Sequence, residues 1–165
     1  MRHVLVVFLL LAACASAAST ASVNDGAPAP ALSGATLSGE AMDLAALRGQ
    51  VVLVDFWASW CAPCRRELPE LDALYRRHRA AGLVVIGVNI DEQRADAEAF
   101  LRDQVQVSFP VIHDGAQQLA GAWSPPKMPT LYVVDRAGRV ARVFDGEKPG
   151  QLAALHAEVE RQLAL

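Results

Sequence analysis

A chain of 165 residues has room for one domain and short additions. With 53% hydrophobic and 20% charged residues it can bury a core, which excludes a disordered chain. A formal charge of −3 offers no basis for binding nucleic acid, and no apolar run reaches the roughly 18 residues that span a bilayer.

The N-terminus reads as a targeting segment. Arg2 and His3 make a short basic start, and residues 4–11 an apolar run too short to cross a membrane. The run ends in Leu11-Ala12-Ala13-Cys14, which resembles the lipobox of bacterial lipoproteins. That resemblance implies removal of residues 1–13, lipidation of Cys14, and a lipid anchor that tethers the domain to a membrane without spanning it. An ordinary signal peptide cut near Ala15-Ser16-Ala17 is the alternative. By analogy with enteric sorting rules, Ala15 rather than Asp after Cys14 favours the outer over the inner membrane. Export also fixes the thiol arithmetic. Of three cysteines one becomes the anchor, and Cys61 and Cys64 remain as a pair with no structural disulfide left to form.

Residues 14–31 are small and polar, with Pro28 and Pro30, and read as a tether. The domain is expected over 32–165. Gly34 and Gly39 give 32–42 the spacing of a β-hairpin. A helical turn follows at 43–47. Residues 51–56 form a continuous apolar strand, as in a sheet covered on both faces. A helix is expected from 62 to about 81, with Leu68, Leu71, Leu74 and Tyr75 on its apolar face, Pro69 inside it and Gly82 at its stop. Then come a strand at 83–90, a helix at 95–105 with Ala99, Phe100 and Leu101 inward, a strand at 109–112 and a short helix at 117–123. A hairpin of 130–135 with 140–144 turns around Arg136-Ala137-Gly138, and Pro149 opens a last helix to 163. The order β-α-β-α-β-α-β-β-α means an α/β fold with a mixed central sheet flanked by helices.

The chemistry concentrates at Trp60-Cys61-Ala62-Pro63-Cys64, where a strand runs into a helix start. Two thiols at that spacing can close a disulfide across one turn. The first sits where unpaired N–H groups and the helix dipole favour a thiolate, the nucleophile of disulfide exchange. Half a zinc site has the same spacing, but a zinc ribbon needs a second pair and none exists, so no metal is expected. Cys61 is expected as the exposed nucleophile and Cys64 as the resolving thiol. Pro63 is compatible with a first helical turn. Asp55 lies between apolar neighbours six residues before Cys61. A buried carboxyl there has a raised pKa and can shuttle a proton to or from Cys64. Glu67, one turn beyond Cys64, is either a solvated helix residue or a second acid that tunes the thiols. Arg65 and Arg66 are expected in solvent. Trp57 is expected in the core and Trp60 at an exposed rim where a partner docks. Trp123 either borders the same groove or packs inside.

Residues 55–64 (Asp-Phe-Trp-Ala-Ser-Trp-Cys-Ala-Pro-Cys), Pro69, Asn89-Ile90-Asp91 and Pro129-Thr130 resemble the thioredoxin superfamily. The opening Gly26-Ala27-Pro28-Ala29-Pro30 and the approach Leu47-Arg48-Gly49-Gln50-Val51 are similar to its TlpA/ResA-like envelope branch, which shades into the redoxin (AhpC/TSA) group. The resemblance implies a thioredoxin fold with an added N-terminal hairpin and an inserted helix and strand at 93–112. It implies that Pro129 matches the family's cis-proline beside the disulfide, and that the Met128 backbone pairs with a substrate strand. It implies that Glu67 matches the acid following the Cys-x-x-Cys, and Asp55 the buried acid of thioredoxin. Three departures stand out. The envelope branch often has Asn where Asp55 stands, the lysine that neighbours that acid in thioredoxin aligns with Gly87, and Met128 is not the commonest residue before the proline.

Together these readings describe an envelope thiol-disulfide oxidoreductase that needs no cofactor. By resemblance it reduces disulfides of other proteins, as in cytochrome c maturation, and is supplied by a membrane electron donor. The alternatives are a disulfide oxidant or isomerase, a thiol peroxidase, and a Cu(I) chaperone using Cys61, Cys64 and Met128. The peroxidase pattern wants Thr where Ala58 stands, and the copper carriers space their cysteines differently.

Overall fold

The computed structural model describes residues 23–165. The expected leader and Cys14 lie outside the described residues. Strands β1 (Ser33–Ala35) and β2 (Ala41–Asp43) form a small antiparallel hairpin. The Asp43 carboxyl accepts the Ala45 N–H at 2.9 Å and caps a 3-10 turn, Leu44–Leu47. Strand β3 (Val51–Trp57) follows and is buried along its whole length.

The main sheet holds β3, β4 (Leu83–Asn89), β5 (Val111–His113), β6 (Thr130–Val134) and β7 (Val140–Asp145) in the order β5-β4-β3-β6-β7. β3, β4 and β5 run parallel, while β6 and β7 are antiparallel. β3 is therefore central, which explains why it is apolar at every position but Asp55. The helices are α1 (Ala62–His78), α2 (Arg94–Asp103), α3 (Gln118–Trp123) and α4 (Gln151–Leu163).

Strand periodicity sorts the core into two apolar clusters. Val51, Leu53 and Trp57 join Leu68, Leu71 and Leu74 of α1, Phe100 of α2, and Leu155 and Val159 of α4. Val52, Val54 and Phe56 face the other way, toward Leu32, Leu44 and Trp123. Trp57 and Trp123 are both fully buried, so Trp123 packs in the core, in ring contact with Phe56 and Tyr132. The same alternation puts Asp55 on the face of Leu53 and Trp57, where Cys61 and Cys64 also pack.

Three local expectations change. α2 ends at Asp103 and buries Ala97 and Phe100, while Ala99 and Leu101 are half-buried, because the helical repeat brings 97 and 100 onto one face. The strand expected at 109–112 begins at Val111, after Pro110, which has no N–H to give a ladder. The expected tether is ordered in its last part. Gly26 N–H donates to Val140 O at 2.6 Å, Val140 N–H to Ala27 O at 2.8 Å and Ala29 N–H to Gly138 O at 3.0 Å. Residues 25–31 thus lie along the β6–β7 hairpin, with Pro28 in an edge position that tolerates proline. The packed unit starts before residue 32.

Candidate active site

Cys61 caps the N-terminus of α1. Its backbone is extended and its Sγ accepts the Cys64 N–H at 3.2 Å. Pro63 fills the first turn, where its missing N–H leaves no helical bond unmade. Cys61 and Cys64 are joined in a disulfide, their Cα atoms 5.3 Å apart. Both are buried, at 4% and 1% exposure. Cys61, expected as the exposed sulfur, is thus only slightly more open than Cys64. It packs into the same apolar cluster as Leu68 and Leu131. Trp60 beside it is 67% exposed and lines a shallow groove with Ile90, Glu92, Gln93 and Asp96.

Asp55 is 1% exposed, between Gly87 of β4 and Leu131 of β6 in the sheet register. Among the described residues its Oδ1 has no hydrogen-bond partner. Burial holds its carboxyl well above the usual carboxylate range, and the nearby Glu67 pushes the same way. Glu67 is half-buried, with Oε2 enclosed and unpartnered among the described residues. Its pKa is pushed up to about 7, first by burial and then by Glu147. Glu67 is thus half-buried rather than fully solvated, and its charge adds to the upward push on Asp55.

A groove of about 320 Å³ runs past Glu67, lined also by Pro63, Arg66, Glu70, Glu147 and Lys148. Arg66 is 60% exposed but paired, its Nη2 2.6 Å from Glu147 Oε2 on the loop before α4. Arg66 thereby holds the Glu147 carboxyl below its ordinary range. Sequence reasoning left Glu147 out, and its position eighty residues away in a turn offers no signal to find it.

The Met128–Pro129 peptide bond is cis. Pro129 is buried, and its carbonyl accepts the Gly146 N–H at 2.7 Å. Met128 is half-buried and touches both apolar clusters. Asp91, another residue without an assigned role, is buried at the end of β4 and bonds Ser59 in the turn before Cys61. In the sequence it stands in Asn89-Ile90-Asp91-Glu92-Gln93, where polar neighbours give no such signal as the apolar flanks of Asp55 do. Among the described residues no three His, Cys, Asp or Glu side chains are grouped to hold a metal ion, and no helix is long and apolar enough to cross a membrane.

A model of the AhpC/TSA family matches residues 25–143. Thiol-disulfide oxidoreductase ResA of Bacillus cereus is 31% identical over 123 residues, covering 74% of this chain and 70% of the relative. ResA of Bacillus subtilis is 29% identical over 125 residues, covering 76% and 69%. Among solved structures, a Chlorobium tepidum protein described as thiol:disulfide interchange protein DsbE superimposes with a TM-score of 0.81 at 34% identity. It covers 86% of this chain and 99% of its own.

Proposed function

The chain belongs to the AhpC/TSA family as a thiol-disulfide oxidoreductase of thioredoxin fold, and from that premise we propose that it reduces disulfides of other proteins in the cell envelope. The observation that carries this reading is a helix-capping disulfide packed on the sheet face that also buries Asp55, with Glu67 coupled to it.

In the reduced protein the Cys61 thiolate attacks a substrate disulfide. A Cys61–substrate bond forms and one substrate sulfur leaves as a thiolate. Cys64 then gives up its proton and attacks Cys61 Sγ. The second substrate sulfur leaves and is protonated, and the Cys61–Cys64 disulfide remains. Two electrons have passed to the substrate. A membrane dithiol donor recharges the pair: one donor thiolate attacks Cys61 Sγ so that Cys64 leaves as a thiolate, and the second donor thiol then attacks the first donor sulfur, freeing Cys61 and leaving the donor as a disulfide. A neutral Asp55 suits that step, because it can hand Cys64 a proton. The forward step returns the proton to Asp55. Glu67, which divides its time between both forms near neutrality, exchanges it with the groove. Trp60 offers an exposed aromatic rim to the partner, and the Met128 backbone at the cis bond offers it an edge to pair with. Lipidation at Cys14 would keep the domain at a membrane surface, near its donor.

The test is turnover of an insulin disulfide by the prereduced domain. The wild type reduces it, Cys61→Ser does not react, and Cys64→Ser stops at a mixed disulfide isolable through Cys61. Consumption of hydrogen peroxide without reduction of insulin would replace this reading with a peroxidase.

A further inference from the structure

We propose that Asp91 is a positioning residue for the exchange reaction, acting through Ser59 to hold Cys61 at the N-terminus of α1. This rests on the reading of Cys61 as the attacking sulfur. Between β3 and α1 the chain makes a tight turn in which Cys61 N–H donates to Ala58 O at 3.1 Å. Ser59 sits inside that turn, two residues before Cys61. Its N–H donates to the Asp91 carboxyl, 3.2 and 3.1 Å from the two oxygens, and its hydroxyl donates to Oδ1 at 3.0 Å.

Asp91 is itself fixed. It is 3% exposed. Asn89 Nδ2–H donates to Asp91 Oδ2 at 2.8 Å, and Asp91 N–H donates to Asn89 Oδ1 at 3.1 Å. Asn89 is fully buried at the end of β4, in register with Trp57 of β3. Ile90 N–H donates to Trp57 O at 3.0 Å, and the His113 ring bonds the Asp91 carbonyl at 2.8 Å. One buried carboxyl, 32 residues from Ser59 in sequence, therefore ties the turn carrying Trp60 and Cys61 to the end of the sheet.

The consequence falls on Cys61. A thiolate at this cap is stabilised by the free N–H groups of the first turn only while Sγ stays in line with them. Three N–H or O–H donors converge on Asp91, and the NH₂ of an asparagine there would face one of them. A tie that served folding alone would alter stability and leave the thiol's behaviour unchanged.

The experiment follows iodoacetamide alkylation of each cysteine against pH by mass spectrometry in the reduced protein, beside thermal unfolding. Asp91→Asn is expected to move Cys61 alkylation to higher pH and slow it about tenfold at pH 7, the order that one lost hydrogen bond supports. Ser59→Ala, which keeps the backbone bond, shifts it the same way by less. Ser59→Thr, which keeps the hydroxyl, restores the profile. Asp55 on β3 and Glu67 on α1 are untouched in all three variants. An unchanged Cys61 profile in folded Asp91→Asn and in Ser59→Ala overturns the inference, whatever the melting temperature does. If Asp91→Asn does not fold, the serine pair decides, and identical profiles for Ala and Thr overturn it. Should Cys64 be the more reactive thiol in the wild type, the assignment of the attacking sulfur falls and takes this inference with it. Should Cys61 be more reactive and indifferent to the variants, only the role of Asp91 falls.

Discussion

At Asp55 an acid sits inside an apolar sheet with one oxygen unpartnered among the described residues, and thermodynamics gives that a sign. Its value in the folded protein lies well above the ordinary 3.8. Between the two values the folded state binds more protons than the unfolded state, so stability falls as pH rises through that window. Asp55→Asn should therefore be more stable than the wild type at pH 7, with the gap closing as pH falls toward about 4. Urea unfolding of the oxidised protein at both pH values checks this, and a variant less stable at pH 7 would refute it. Glu67 predicts a kinetic signature instead. The rate of disulfide reduction should carry an inflection near pH 7 that Glu67→Gln removes, with a loss of about 10²-fold, the low end of what a positioned acid or base supplies. An inflection that survives the substitution would assign it to another group. Both acids were legible in the sequence, one by its apolar neighbours and one by its spacing from Cys64. The residues that complete their setting were not. Glu147 and Asp91 reach the site from distant loops, and nothing local marks a residue whose partner is supplied by tertiary folding.

Among the elements, β3 and β4 do most to place the site. Their register sets Gly87 beside Asp55. A Cβ built on Gly87 would stand 3.0 Å from Trp57 Nε1, 3.2 Å from a Val111 methyl and 3.3 Å from the Phe109 ring. The space a longer side chain would need is thus filled by core side chains, and Asp55 gains no cationic neighbour at that position. Gly87→Ala should cost about 1–3 kcal/mol as an overpacked core. Equilibrium denaturation measures it, and an unchanged midpoint would mean the core relaxes freely. Strand alternation and the stop at Gly82 could be read from the chain because they depend on neighbours two to four residues apart. On α2 Phe100 faces inward as expected, but Ala97 was missed in favour of Ala99 and Leu101, for the complementary reason. Ala97, Ala99, Phe100 and Leu101 leave the apolar stripe ambiguous until the sheet behind it is placed.

For the whole molecule, the packed unit takes in residues 25–31 along the β6–β7 hairpin, which short-range composition disguised as linker. If Cys14 carries a lipid, Cys14→Ala should move the exported protein from the membrane fraction to the soluble one, with unchanged activity on a soluble disulfide substrate. Fractionation with metabolic lipid labelling checks this, and an unaltered distribution would remove the anchor. The central claim is that the Cys61–Cys64 pair gives electrons rather than takes them. Buried acids beside the pair do not favour its thiolates, and a strong oxidant depends on a stabilised reduced form. The most direct measurement is the reduction potential of the pair at pH 7, equilibrated against glutathione and dithiothreitol buffers. A value near that of thioredoxin, about −270 mV, is the expected result, and one near about −120 mV would contradict the account and make the protein a donor of disulfides.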